Sequence, residues 1–264
     1  MYLFRSLMLL LKVYQIERKY SGRIRLHCEA IAKDGMSETE TSIFDLLWQA
    51  KEDDRNSFGF LAFIEKTCAS LLALLDRAGI AKLQKTCFQA VTNFGPSESK
   101  YLCYVGELAN LERVLSKNDH HLVDVEYKMP NGKSFDFAIE IDSKLHLIEV
   151  LSIFTKSELM GDEAGFQNFI EKRYVDKLSD KTKGISNRKY TFALLPVLWG
   201  EFNKLDEYIR NFKIFSPPRN IILPPMIIPS FRNVETEDIV YTLMDVKQYH
   251  EYRATKRNQI QGNT

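Results

Sequence analysis

The sequence predicts a mixed α/β protein, with a helical first third followed by a helix, three strands, a helix and a further strand. Three observations carry this expectation. Apolar residues recur at helical spacing between residues 42 and 92, and again from Tyr101 to Leu115. Residues 122–141 instead alternate apolar and polar on either side of Met129-Pro130-Asn131-Gly132. Asn-Gly is a strong hairpin signal because both residues accept the positive φ of a tight turn. Residues 144–154 are then almost continuously apolar, as in a central strand covered on both faces.

Taken in order, residues 1–98 read as an α-helical N-terminal region. Ile43, Leu46 and Leu47 share one helix face, and residues 58–75 are apolar enough for a helix buried on most sides. Ser57 suits its N-cap and Gly79 its C-terminal stop. A further helix is expected over 81–92, before the turn-rich residues 93–99 that mark a domain boundary. The second domain, 99–215, begins with a helix whose stripe is Tyr101, Tyr104, Val105, Leu108, Leu111 and Leu115. Strands follow at 122–128, 134–141 and 144–154, then a helix at 165–182, a buried strand at 190–198 and a helix at 201–212. The remainder, 216–264, opens with an extended segment set by Pro217, Pro218, Pro224, Pro225 and Pro229. It continues as a last helix over 238–252 and a frayed polar tail.

Composition excludes several classes. Lys and Arg number 36 against 35 Asp and Glu, so any anion-binding surface must come from local clustering rather than bulk charge. The four cysteines form no CxxC pair, which argues against structural zinc and for reduced thiols in a cytoplasmic protein. The apolar run Leu7–Leu11 is too short to span a bilayer, so an amphipathic first helix without membrane insertion is expected. There is no glycine-rich phosphate loop, GxSxG elbow or HExxH helix. His120 and His121 fall in a polar turn, and His146 has strand parity opposite to Glu149, so no zinc site follows from them.

The residues that suggest chemistry are acids. Glu107 lies in the helix of 101–115, Asp136 in the strand SFDFAIEI and Glu149 in the strand KLHLIEVLSI. Strand side chains repeat every two residues, so Asp136 and Glu149 share a face if their strands are neighbours. Two such carboxylates are what a hard divalent ion takes, with waters and a substrate phosphate completing its shell. The competing readings are ordinary: Asp136 solvent-facing at a strand end, and Glu107 an exposed helix acid. Glu149 is harder to dismiss, because an ionised group between Leu147, Ile148 and Val150 is costly unless paired.

The order α-β-β-β-α-β, with Gly106-Glu107, Asp136 and Glu149, resembles the PD-(D/E)XK or restriction-endonuclease-like nuclease superfamily, and within it the nuclease-related domains that begin with a Gly-Glu helix. The resemblance covers about residues 101–212. It implies a central mixed sheet flanked by helices, Mg²⁺ or Mn²⁺ on Asp136 and Glu149, assistance from Glu107, and nucleic acid as substrate, DNA ahead of RNA. The family's lysine two residues after the glutamate is Leu151 here. Two readings follow. In one, the cation has moved to the next helix, where Arg173 and Lys177 lie within about 40° of Phe166 on a helical wheel while Lys172 points away. In the other, catalysis is lost and the fold is a scaffold for nucleic acid or a protein partner. Arg173 and Lys177 snorkelling past the core is the bland alternative to the first reading. The N-terminal helices offer a surface for a protein partner or a homodimer.

Overall fold

The computed structural model describes residues 43–51, 54–92, 100–155, 163–185, 190–200, 221–222, 226–228, 230–232 and 239–261. The amphipathic first helix and the helix expected at 201–212 lie outside the described residues. In chain order the elements are α1 (Ile43–Lys51), α2 (Arg55–Leu74), α3 (Arg77–Thr92), α4 (Lys100–Leu115), β1 (His120–Lys128), β2 (Ser134–Ile141), β3 (Lys144–Thr155), α5 (Glu163–Thr182), β4 (Thr191–Gly200), β5 (Ile221–Ile222), β6 (Met226–Ile227), β7 (Ser230–Arg232), β8 (Ile239–Tyr241), β9 (Met244–Asp245) and α6 (Val246–Gln261). The protein is therefore mixed α/β, with a mixed sheet and flanking helices, as the sequence implies.

The chain forms two compact units, 1–125 with 230–241, and 126–229 with 242–264. The division falls inside β1, later in the chain than the boundary that the turn-rich residues 93–99 suggest, so α4 belongs to the first unit. In the first unit α2 packs on α1, α4 and the β7–β8 hairpin. Asp54, not Ser57, caps α2: its carboxylate accepts the Ser57 amide at 2.9 Å. Gly79 does not stop this helix either, since α2 ends at Leu74 and Gly79 lies buried within α3. By length and apolarity alone α2 could cross a bilayer; here Phe60, Leu61, Phe63, Ile64, Cys68 and Leu71 are buried in the protein. Gly59 is the closest approach in this unit. A Cβ added there would stand 2.1 Å from the Ile239 carbonyl oxygen, so only glycine lets the β8 backbone lie against the helix. Tyr241 fixes the same contact, its hydroxyl donating to Asn56 Oδ1 at 2.5 Å and its ring meeting Phe60 edge-on.

The strands β2, β3, β4, β5, β6 and β9 belong to the second unit, in a sheet ordered β1-β2-β3-β4-β6-β9, with β5 also paired to β4. The β2–β3 pair is antiparallel and β3–β4 parallel, so the sheet is mixed. Two positive-φ residues, Asp142 and Ser143, make the tight β2–β3 turn. Pro196 is tolerated in the central strand β4 because it falls between the β5 and β6 pairings, at Leu194 and Val197. Helix α5 covers one face, where Phe166, Ile170, Tyr174 and Leu178 pack with Leu147, Leu151, Ile153, Phe192, Leu194 and Leu198. The C-terminal segment departs from the sequence expectation. Residues 239–241 and 244–245 are extended, and the last helix starts at Val246, not 238, and continues to Gln261. Its start is a reciprocal cap: Gln248 N–H donates to Asp245 Oδ1 at 2.7 Å, and Asp245 N–H to Gln248 Oε1 at 3.1 Å.

Candidate functional site

The β2–β3 register pairs Phe137 with Ile148, so the next rung outward would oppose Asp136 and Glu149. Residues opposite one another on antiparallel strands point to the same face. The ladder stops at that rung because the Asp136 side chain replaces it, with Val150 N–H donating to Asp136 Oδ2 at 2.7 Å. Among the described residues Asp136 Oδ1 accepts no hydrogen bond. Glu149 is buried, on the face that α5 covers.

Two lysines from α5 meet Glu149. Lys177 Nζ lies 3.0 Å from Oε1 and Lys181 Nζ 2.9 Å from Oε2. Lys181 stands off the direction of a hydrogen bond, so buried Oε2 is charge-paired without an aligned donor. The ammonium of Lys181 also donates to the Ser134 carbonyl and lies over the Phe135 ring, 5.7 Å from its centroid. The β1–β2 turn holds this end of α5. Asn131 Nδ2 donates to the Lys181 and Lys183 carbonyls, both at 3.0 Å, and Lys133 Nζ meets both carboxylate oxygens of Asp180 at 2.8 and 2.9 Å. Asn131 thus satisfies carbonyls that the helix end leaves without partners.

The charges perturb one another. Burial, and then the Glu149 charge, push the Asp136 carboxyl up to about 7, against the Val150 amide and the two lysines, which favour its ionised form. Burial pulls the Lys177 ammonium down, but Glu149, with Asp136 and Asp180, outweighs it and leaves Lys177 above the ordinary lysine range. Two carboxylates compete for negative charge in one place, which is the electrostatic condition that a bound cation relieves.

The other expected residues fall differently. Arg173 is exposed on α5, and the second cation is Lys181, which the sequence reading passed over. Glu107 is half-buried on α4 and belongs to the first unit, whereas Asp136 and Glu149 belong to the second. Leu151 is buried in the α5-facing core with Ile170 and Tyr174, so its position serves packing. His120 opens β1, its Nδ1 2.7 Å from the Val114 carbonyl.

Asp136 and Glu149 fit a Mg²⁺ or Mn²⁺ ion by donor chemistry. Each has an oxygen without an aligned donor, and the ion needs only one or two carboxylates besides water and phosphate. No group of three or more His, Cys, Asp or Glu side chains placed to hold a metal occurs among the described residues. No protein-family model, curated protein or solved structure matches the chain.

Proposed function

We propose that the protein is a metal-dependent nuclease, hydrolysing phosphodiester bonds of DNA or RNA on a restriction-endonuclease-like core, with its essential cation supplied by α5 in place of Leu151. The observation that carries this reading is the 3.0 Å approach of Lys177 to Glu149 Oε1, from the helix where a displaced lysine was expected. Asp136 and Glu149 would hold Mg²⁺ or Mn²⁺. Such an ion, when bound, polarises the phosphoryl group and acidifies a water for in-line attack. Lys177 places positive charge beside the acids, where a phosphate would carry its developing negative charge. Lys181 and the Asn131 turn fix the helix that presents it. Arg173, on the open side of α5, is suited to the nucleic-acid backbone.

The charge balance of the cluster supports a second reading. When both acids are ionised, they and the two lysines sum to zero without a metal, as in a nuclease-like scaffold that binds nucleic acid or a protein without cutting. One experiment separates the two. Purified protein is incubated with single- and double-stranded DNA and with RNA, in Mg²⁺, Mn²⁺ or chelator. The nuclease reading expects metal-dependent cleavage that Asp136→Ala and Glu149→Ala abolish. Binding without cleavage in either metal favours the scaffold, and cleavage indifferent to both substitutions removes the site.

A further inference from the structure

We propose that the two lysines on Glu149 have different fates: Lys177 is the exchangeable cation, released when Asp136 and Glu149 take up a divalent ion, and Lys181 is the permanent one. The inference rests on the metal-site reading above and extends it by stating how the site opens.

The asymmetry lies in how each lysine is held. The Lys181 side chain is only 13% exposed and has three partners, Glu149 Oε2, the Ser134 carbonyl and the Phe135 ring. Its own carbonyl is bound by Asn131 of the β1–β2 turn. Releasing it would leave the Ser134 carbonyl without this donor and Glu149 Oε2 without its charge partner. The Lys177 side chain is 37% exposed, and its one ion pair among the described residues is with Glu149. An ammonium on a flexible four-carbon stem at such a position returns to water at little cost.

Charge requires one of them to go. With both acids ionised, two carboxylates and two ammonium groups sum to zero, so a divalent ion joining all four would leave two uncompensated positive charges in a part-buried cluster. Release of Lys177 removes one of these and frees Glu149 Oε1, the acceptor it had covered. A substrate phosphodiester, carrying one negative charge, then offsets the positive charge that remains, and the released Lys177 ammonium is free to contact it. In the absence of metal Lys177 therefore acts as a plug on Glu149, and in its presence as a phosphate contact.

The test uses the full chain and Mg²⁺ alone. Lysine ammonium groups held in ion pairs give resolvable ¹H–¹⁵N NMR signals, and Lys177→Gln and Lys181→Gln assign the two. Mg²⁺ is titrated with calorimetry in parallel. The Lys177 signal is expected to leave its paired position as Mg²⁺ binds, while the Lys181 signal persists. The Lys177→Gln protein is expected to bind Mg²⁺ about fivefold more tightly than the wild type, because the competing ion pair is gone. Mg²⁺ uptake with Lys181 released, or with neither signal moved, overturns the division of roles and leaves the metal site standing. Weaker binding by Lys177→Gln overturns it as well. No Mg²⁺ uptake by the wild type defeats the metal-site reading itself, and this inference with it.

Discussion

Lys177 Nζ stands 3.0 Å from Glu149 Oε1, joining the helix after the third strand to the acid at that strand's centre. Glu149 is buried, and without this pair and its partner at Lys181 an ionised carboxylate there would be strongly unfavourable. Leu151 packs in the core under the same helix that brings both lysines to Glu149.

The two lysines should differ in their effect on stability. Lys181→Ala removes a mostly buried ammonium with several partners and is expected to cost about 2 kcal/mol. Lys177→Ala removes a part-exposed ammonium but leaves buried Glu149 with Lys181 alone, and is expected to cost less, about 1 kcal/mol. Urea denaturation of both variants, fitted with a common slope, measures the difference. Equal losses would contradict the burial asymmetry.

A lysine placed at position 151, where the proposed nuclease reading would want one, should not help. Leu151 packs with Ile170 and Tyr174 under α5, so Leu151→Lys is expected to destabilise the fold by about 2–4 kcal/mol without raising cleavage. Leu151→Met, which keeps volume and polarity close, should cost less than about 1.5 kcal/mol. If the proposed cleavage is observed, a gain in Leu151→Lys would contradict the proposal that α5 supplies the cation.

Stability should carry a pH signature from Asp136. Its carboxyl is raised from 3.8 to about 7 on folding, so between these values the native state holds a proton that the unfolded state has lost. Its contribution is fully present below about pH 4 and is lost as pH rises through about 7. Asp136→Asn should flatten this fall, read as the difference in urea midpoint between wild type and variant from pH 4.5 to 7.5. Asp54, the cap of α2, has the opposite sign. Burial raises its carboxyl, but hydrogen bonds from Ser57 and Asn56 outweigh that and hold it below its usual value, so its contribution fades as pH falls.

In the first unit, Gly59→Ala should destabilise the docking of β8 on α2. The new methyl group would meet backbone, the Ile239 carbonyl at 2.1 Å, which cannot swing aside as a flexible side chain would. A cost of about 2–3 kcal/mol is expected, with faster amide exchange at residues 239–241. An unchanged thermal midpoint would show that the segment shifts freely.

Much of this was legible in the sequence, for identifiable reasons. The alternation of 122–128 and 134–141 and the Asn-Gly turn gave β1, β2 and their hairpin, and the long apolar run gave β3. Asp136 and Glu149 could be set side by side because parity and a short turn leave few registers. A helical wheel centred on Phe166 leaves Lys181 outside its 40° sector. The buried series Phe166, Ile170, Tyr174 and Leu178 advances by four residues, and each step of four turns about 40° around the axis. The buried stripe therefore drifts away from Arg173 and toward Lys181. The strands at 239–245 were hidden for another reason: segments of two or three residues show no period, and their pairing partners are distant in sequence.

The most direct measurement is a crystal of the protein soaked in Mn²⁺, with anomalous scattering used to locate the ion. The expected result is a peak beside the carboxylates of Asp136 and Glu149, with Lys177 withdrawn from Oε1 and Lys181 still beside Oε2. Full soaking that leaves both lysines on Glu149 and no peak between the two acids would contradict it.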